Sequence, residues 1–275
     1  MLNVEFGRRL YLVPSAWNEL SRRQLLQITR LHGQGFASDR ALDDAFRRVI
    51  LGVPGRLWAR LNGVQRVELR HLVPVRFLRE PADFAPLTEQ LLPHLPYLKW
   101  YQGLGCRYFG PRENFRNLSF AEFIFADAFF LRYLQTNDET QLDRLVATLY
   151  RPQRAGYAPL APDYAGDRRE PFNENLLDAR ARHVARLEHH VKYAVMLWYR
   201  GCRKALETRF EYVFTGENNR KASAGSWADV LHELAGGVHR IDATAGQHLL
   251  TVLREMNRVL RQAEERAEAS RSQNH

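Results

Sequence analysis

Apolar residues recur along this chain mostly at helical spacing, and they are densest between residues 117 and 152. The first half of this stretch carries apolar side chains around most of a helix circumference, namely Phe120, Phe123, Ile124, Phe125, Ala128, Phe129, Leu131, Tyr133 and Leu134. Such a helix must be covered on nearly all sides. Ser119 and Glu122 predict a capping box at its start, and a second helix is expected to end before Pro152.

Amphipathic helices are predicted over much of the remaining chain. Ser21 and Gln24 indicate another capping box, and Asp39 is expected to cap the next helix. A long helical pattern runs from Glu174 to Arg209, which Gly201 is expected to kink or divide. The predicted fold class is therefore mainly α, a multi-helix bundle.

Two segments have a strand-like pattern. The first has apolar residues on either side of a Gly-Arg-Arg sequence, namely Val4, Phe6, Leu10 and Leu12. It predicts a small N-terminal β-hairpin, and Val75 to Leu78 is the candidate for a further short strand of the same sheet.

Composition divides the chain into four segments. We expect an N-terminal helical region with a small sheet at 1–105, an aromatic helical hairpin core at 106–152, a connecting loop at 153–172 and a C-terminal helical region at 173–275. The loop is rich in Gly, Pro and charge. Because loops of this length are uncommon inside a compact domain, it is expected either to separate two helical lobes or to form a strap.

Length and composition limit the class of protein. With 275 residues, 45% of them hydrophobic, the chain can bury a core in one or two domains. Its apolar runs are shorter than the roughly 18 residues that a membrane span needs, and its start lacks the pattern of a secretory signal. Cys106 and Cys202 give no disulfide framework. We therefore expect a cytoplasmic protein with no membrane partner.

The net charge of +9 suggests nucleic-acid binding as an alternative function. The arginines, however, alternate with acids along polar helix faces, for example from Arg258 to Arg266. This placement favours a solvated helix surface over a dedicated phosphate-binding face.

Few residues stand in patterns that indicate catalysis. The chain has no Gly-rich phosphate loop of the Walker or Rossmann type. His183 and His190 are expected on one helix, but their spacing differs from the i, i+4 pair typical of zinc sites. We expect neither a metal nor a cofactor. An enzyme with a site near Asp127 and the His183–His190 helix is the least favoured hypothesis.

Asp127 lies within the aromatic helix, with apolar neighbours on both sides. A buried carboxylate needs a cationic partner, and Arg132, Arg144 and Arg151 are the candidates. We predict a structural ion pair of Asp127 with Arg151 rather than a catalytic acid.

Three parts of this stretch together resemble a known family. The sequence from Leu118 to Phe123, the helix around Asp127 and the ending Leu149-Tyr150-Arg151-Pro152 are similar to a pattern in tail-assembly-chaperone-like proteins of phage and prophage tail modules. The resemblance covers Asn117 to Pro152 well and Val195 to Leu260 loosely. The first hundred residues match only through a short phrase, Pro14 to Leu20.

The resemblance implies a non-enzymatic, largely helical protein made in the cytoplasm of a bacterial host. Proteins of this family are thought to hold the tape-measure protein while the tail tube polymerises around it. The expected partners are therefore the tape-measure protein or other tail proteins. A groove for their amphipathic helices is expected to use aromatic side chains, with Phe125, Phe129, Phe130 and Tyr133 as the candidates. The competing interpretation is that these rings fill the core.

Overall fold

The computed structural model describes residues 1–6, 9–79, 86–96, 98–101, 104–160, 166–214, 227–236 and 240–273. Over these residues the chain is mainly α-helical with a small antiparallel hairpin at its N-terminus, which confirms the predicted fold class. Contacts group the chain into two compact units. The first unit comprises Met1–Leu92 and Glu188–Gly201, and the second comprises Pro93–Leu187 and Cys202–His275.

The first unit begins with the predicted hairpin. Strand β1 (Leu2–Phe6) pairs antiparallel with β2 (Arg9–Val13), and Gly7 and Arg8 between them lie outside the described residues. Its helices are α1 (Arg22–His32), α2 (Asp39–Ile50), α3 (Gly55–Ala59), α4 (Gly63–Leu72) and α5 (Arg76–Arg79), joined by residues 189–201 of a later helix.

The first two helices of this unit begin at side-chain caps. The predicted capping box of α1 is confirmed, since Ser21 Oγ accepts from the Gln24 amide and the Gln24 side chain accepts from the Ser21 amide. For α2 the cap is Ser38, whose side chain accepts from the Ala41 amide. The prediction of Asp39 as the cap is therefore wrong by one residue.

The expected strand from Val75 to Leu78 is instead the short helix α5 and the residue before it. Phe77 and Leu78 are both buried. Consecutive side chains of a strand point to opposite faces, whereas a helical turn can place both in one core. The Trp17 indole donates a hydrogen bond to the Phe77 carbonyl over 2.9 Å, which fixes this turn in the core of the first unit.

Among its described residues, the second unit contains two short antiparallel strand pairs and several helices. β3 (Leu98–Tyr101) pairs with β4 (Leu104–Cys106), and β5 (Tyr108–Phe109) pairs with β6 (Arg151–Pro152). Its helices are α6 (Phe120–Thr136), α7 (Glu139–Leu149), α8 (Leu177–Val184), the end of α9 (His189–Arg209), α10 (Glu211–Phe214), α11 (Trp227–Ala235), α12 (Ile241–Ala245) and α13 (Leu249–Gln273).

Helices α6 and α7 form the predicted hairpin. Ser119 caps α6 by accepting from the Glu122 amide. The Glu122 side chain, predicted to complete the capping box, instead lies 2.8 Å from Arg151. At the other end of α6, Asn137 adopts a left-handed conformation with φ 54°, and Asp138 caps α7. The hairpin therefore has a defined start and turn.

The long pattern from Glu174 to Arg209 is not one helix. It consists of a single 3-10 turn (Glu174–Leu176), α8 and α9, with the break at residues 185–188. Gly201 lies inside the continuous helix α9. A Cβ atom at Gly201 would lie 2.2 Å from the Leu87 carbonyl oxygen. The glycine therefore permits close backbone packing rather than a kink.

The described residues of the 153–172 segment, which was predicted to be a connecting loop, belong to the second unit. Its two ends are joined by backbone hydrogen bonds. The Arg154 amide donates to the Arg168 carbonyl and the Glu170 amide donates to the Pro152 carbonyl, each at a distance of 2.9 Å. Of the two roles expected for this segment, the described residues favour the strap, and we call residues 153–160 and 166–172 the strap.

Candidate functional site

The four aromatic residues predicted to bind a partner differ in exposure. Phe129, Phe130 and Tyr133 are buried, with 8%, 3% and 6% of their surface exposed. Phe125 is half-buried. The prediction that all four line an exposed groove is therefore wrong for three of them, which fill the core of the second unit because their helix is covered on most sides.

Phe125 does line a groove on the second unit, with a volume of about 820 Å³. We call this the interaction groove. Its apolar walls come from α6, the end of the strap, the 3-10 turn that follows, α11 and α12. They consist of Ala121, Ile124, Phe125, Pro171, Phe172, Leu176, Leu231, Ile241 and Ala245. Most of these side chains are half-buried, and Leu176 is 45% exposed. The groove therefore presents apolar surface to solvent.

The polar residues of the interaction groove are mostly acidic. Glu170 is neutralised by Arg180, whose Nη2 lies 2.6 Å from its carboxylate. Glu174 and Asp242 are exposed and have no ion-pair partner among the described residues. The groove therefore carries negative charge on a chain whose net charge is +9.

One wall of the groove is held by Phe172. Its ring centroid lies 5.2 Å from that of Phe125, and the Arg151 guanidinium lies 5.9 Å from the same centroid. Phe172 is the last residue of the strap, so its position depends on how the strap is fixed.

The strap is fixed by a buried ion cluster, which we define as Glu122, Arg151, Asp167 and Arg169. Arg151 Nη2 lies 2.8 Å from one Glu122 oxygen, and Arg169 Nη2 lies 3.1 Å from the other. Arg169 also lies 2.7 Å from Asp167. Two carboxylates thus balance two guanidinium groups that are only 1–2% exposed.

The other N–H groups of the two arginines are used as well. They donate to backbone carbonyls at 2.7–3.0 Å, those of Asn117, Thr148, Leu149 and Glu170. Buried charges are tolerated when they are both paired and hydrogen-bonded. The cluster therefore ties the start of α6, the end of α7 and the strap together.

Burial and charge act in opposite directions on the two arginines. Burial lowers the pKa of Arg151 despite its pairing with Glu122. Burial also acts to lower the pKa of Arg169, but the Glu122 and Asp167 carboxylates outweigh it and raise that pKa. Because guanidinium groups stay protonated in proteins, the cluster is suited to structural pairing rather than to proton transfer.

Asp127 is fully buried and pairs with Arg203, not with the predicted Arg151. Arg203 Nε lies 2.6 Å from Asp127 Oδ1, and the Trp227 indole donates to Oδ2 over 2.9 Å. Arg151 is instead engaged by Glu122. An aspartate with these partners joins α6, α9 and α11, as expected of a structural ion pair.

The histidines predicted to share one helix lie on two. His183 is in α8 of the second unit, where its Nδ1 lies 3.2 Å from the Tyr108 hydroxyl. His190 is in α9 of the first unit, where it lies 3.4 Å from Glu188. Burial lowers the pKa of both histidines and raises that of Tyr108 to about 12.

The residues that sequence analysis missed are Arg169, Phe172 and Arg203. Their partners lie 47 to 76 positions away in sequence, at Glu122, Phe125 and Asp127. The charged sequence from Asp167 to Glu170, directly ahead of Pro171 and Phe172, was the indication in the sequence that ion pairs hold the strap in place.

Comparisons with known proteins identify no relative. No protein-family model matches the chain, and no curated protein or solved structure is significantly similar to it. Within the described residues, no helix combines the length and the apolar character needed to cross a membrane.

Proposed function

We propose that this protein is a non-enzymatic, helical interaction protein whose interaction groove binds an amphipathic helix of a partner. The observation that carries this proposal is the apolar groove around Phe125 and Phe172, with the exposed Leu176 at its edge. Apolar grooves of this type receive the apolar face of a helix, with anchors at i, i+3, i+4 and i+7.

The charge of the groove defines the partner further. Glu174 and Asp242 are unneutralised, so a helix with Lys or Arg beside its apolar face is favoured over an acidic one. A small apolar ligand would gain nothing from this charge.

The partner that we propose is a tape-measure or other tail protein of a phage or prophage, met in the cytoplasm of the bacterial host. This part of the proposal rests on the resemblance of residues 117–152 to tail-assembly-chaperone-like proteins. The position of the groove supports it, because Ala121, Ile124 and Phe125 belong to that stretch and the Tyr150-Arg151-Pro152 ending helps to hold the strap.

The test is co-purification with a tape-measure protein of a phage tail module, using two matched variants. Leu176→Glu places a charge in the groove, whereas Leu134→Glu places one on α6 outside it, at a side chain that is 54% exposed. We expect Leu176→Glu to weaken the association by about tenfold or more, the effect of losing an interface anchor, and Leu134→Glu to leave it unchanged.

The outcome that contradicts the proposal is equal binding by both variants, or no association of the wild-type chain with any tail protein. Thermal unfolding of each variant shows whether it remains folded. Phe129 and Phe130 are unsuitable for this test because they are buried, so polar substitutions there would damage the core.

The enzyme hypothesis receives no support from Asp127. Its carboxylate accepts hydrogen bonds from Arg203 and Trp227, and acid–base chemistry would have to displace them. Nucleic-acid binding, the alternative function, would use a different surface, which is lined by arginines of the first unit.

A further inference from the structure

The first unit contains a second concave surface, which we call the basic cleft. It has a volume of about 780 Å³ and lies between α1 and the turn that leads from α2 to α3. Its long polar side chains are Arg23, Gln24, Gln27, Arg30, Gln34 and Arg48. We propose that the basic cleft binds organic phosphates that carry more than one phosphate group.

The cleft is built along one face of α1. Arg23, Gln27 and Arg30 follow one another at intervals of four and three residues, which places them on the same side of α1, and Gln34 lines the cleft just beyond the end of this helix. Arg23 and Arg30 are separated by about 10 Å along the helix axis, at about 1.5 Å per residue. Arg48 lines the same cleft from α2.

The positive charge of the cleft is only weakly compensated. Within the described part of the chain, no carboxylate lines the cleft and neither Arg23 nor Arg48 has an ion-pair partner. Arg30 lies 2.7 Å from Glu188, but both side chains are more than half exposed. Exposed pairs of this kind contribute little and exchange readily for another anion.

The acids of α2 are engaged elsewhere. Asp44 lies 2.5 Å from Arg70, and Asp39 and Asp43 lie within 3.0 Å of Arg79. The α2 carboxylates are therefore neutralised by arginines outside the cleft, and the arginines that line the cleft remain available to bind an anion.

Arginine favours phosphate as a ligand because its planar guanidinium donates two parallel hydrogen bonds to a tetrahedral oxyanion. Gln27 and Gln34 add amide donors, whereas Gln24 is occupied by Ser21 and the Ile50 carbonyl. Arg23 and Arg30 are separated by about 10 Å along the helix, at about 1.5 Å of rise per residue, and this distance is longer than a single phosphate group can span. A nucleoside polyphosphate and a nucleic-acid strand both supply the required chemistry.

The experiment measures binding of the purified full-length chain to three probes at low salt. The probes are ATP, a fluorescent single-stranded oligothymidine and a fluorescent poly-glutamate peptide. We expect Arg23→Gln combined with Arg48→Gln to weaken phosphate binding by about tenfold or more, since each charged hydrogen bond that is lost costs more than a neutral one. The matched control is Arg60→Gln, an exposed arginine of the same unit outside the cleft.

Binding of ATP identifies a nucleotide site, and binding of the oligothymidine alone identifies a strand-binding site. Either result supports the proposal if the double variant binds that probe more weakly than the wild-type chain does. Three results overturn it: neither phosphate probe binds, the double variant binds as well as wild type, or poly-glutamate binds more tightly than both. If the double variant is unfolded by circular dichroism, the exposed Arg23→Gln variant alone provides the comparison, with a smaller loss expected.

Discussion

At the scale of single residues, arginines supply the partners of two buried acids in the second unit, Glu122 and Asp127. Arg151 and Arg169 enclose Glu122, and Arg203 meets Asp127. Each of these carboxylates is less than 5% exposed. Removing one charge of such a group leaves the opposite charge buried and uncompensated. This is more destabilising than replacing the whole group by well-packed apolar residues.

Replacing Glu122 by glutamine tests this at the buried ion cluster. We expect Glu122→Gln to lower the free energy of unfolding by about 3–5 kcal/mol, because both arginines lose their shared carboxylate. Urea unfolding followed by circular dichroism measures the change. The control is Glu255→Gln, which removes an exposed pair with Arg258 and is expected to have no measurable effect. Equal stability of the two variants would contradict the role assigned to the cluster.

We expect His32 to make the stability of the first unit depend on pH. Burial lowers its pKa, the nearby Arg200 contributes, and the ring packs 5.2 Å from Phe46. Since the folded state binds the proton less readily than the unfolded state, stability is full above the ordinary histidine pKa of about 6.5 and falls as pH drops through it.

We therefore expect the melting temperature to fall between pH about 7.5 and about 5.5, on either side of the ordinary histidine value. His32→Gln should reduce this fall, whereas replacing the exposed His71 should not. His183 and His190 also have lowered pKa values, so part of the dependence should remain in the variant. A pH profile that His32→Gln leaves unchanged would contradict this assignment.

At the scale of elements, helix starts and the aromatic hairpin could be predicted from sequence because the responsible residues are close together. The capping box of Ser21 and the cap at Ser119 are local patterns. The pairing of Asp127 with Arg203 could not be predicted, since the chain offers many arginines and spacing carries no information about contacts 76 residues apart. Apolar periodicity likewise cannot separate core from groove, because Phe125 and Phe129 satisfy the same pattern.

Gly201 illustrates a tertiary effect that overrides helix propensity. Alanine is favoured over glycine inside a helix by up to about 1 kcal/mol. At Gly201, however, the added Cβ would collide with the Leu87 backbone. We expect Gly201→Ala to destabilise the protein by about 1–3 kcal/mol, as overpacking does.

The matched control is Gly63→Ala at the start of α4, where a Cβ would have no neighbour within 4 Å. We expect it to be neutral or slightly stabilising. Thermal unfolding of both variants provides the comparison. Stabilisation by Gly201→Ala would show that Leu87 can move away, and that the close approach is not a constraint on α9.

At the scale of the whole molecule, the two units carry surfaces of opposite charge. The second unit has an apolar groove with acids at its edge, and the first has a cleft lined by arginines. The net charge of +9 conceals this difference. The sequence predicted an apolar groove on the aromatic helix, but residues from the strap and two later helices complete it, which only the fold brings together.

Hydrogen–deuterium exchange of the protein alone and with the proposed tape-measure partner tests whether the interaction groove receives a helix. We predict slower exchange in residues 121–125, 171–176 and 241–245, which line the groove, because a bound helix covers them. No change is predicted in residues 22–34, which line the basic cleft of the other unit. Formation of a complex that leaves exchange at the groove unchanged would contradict the account.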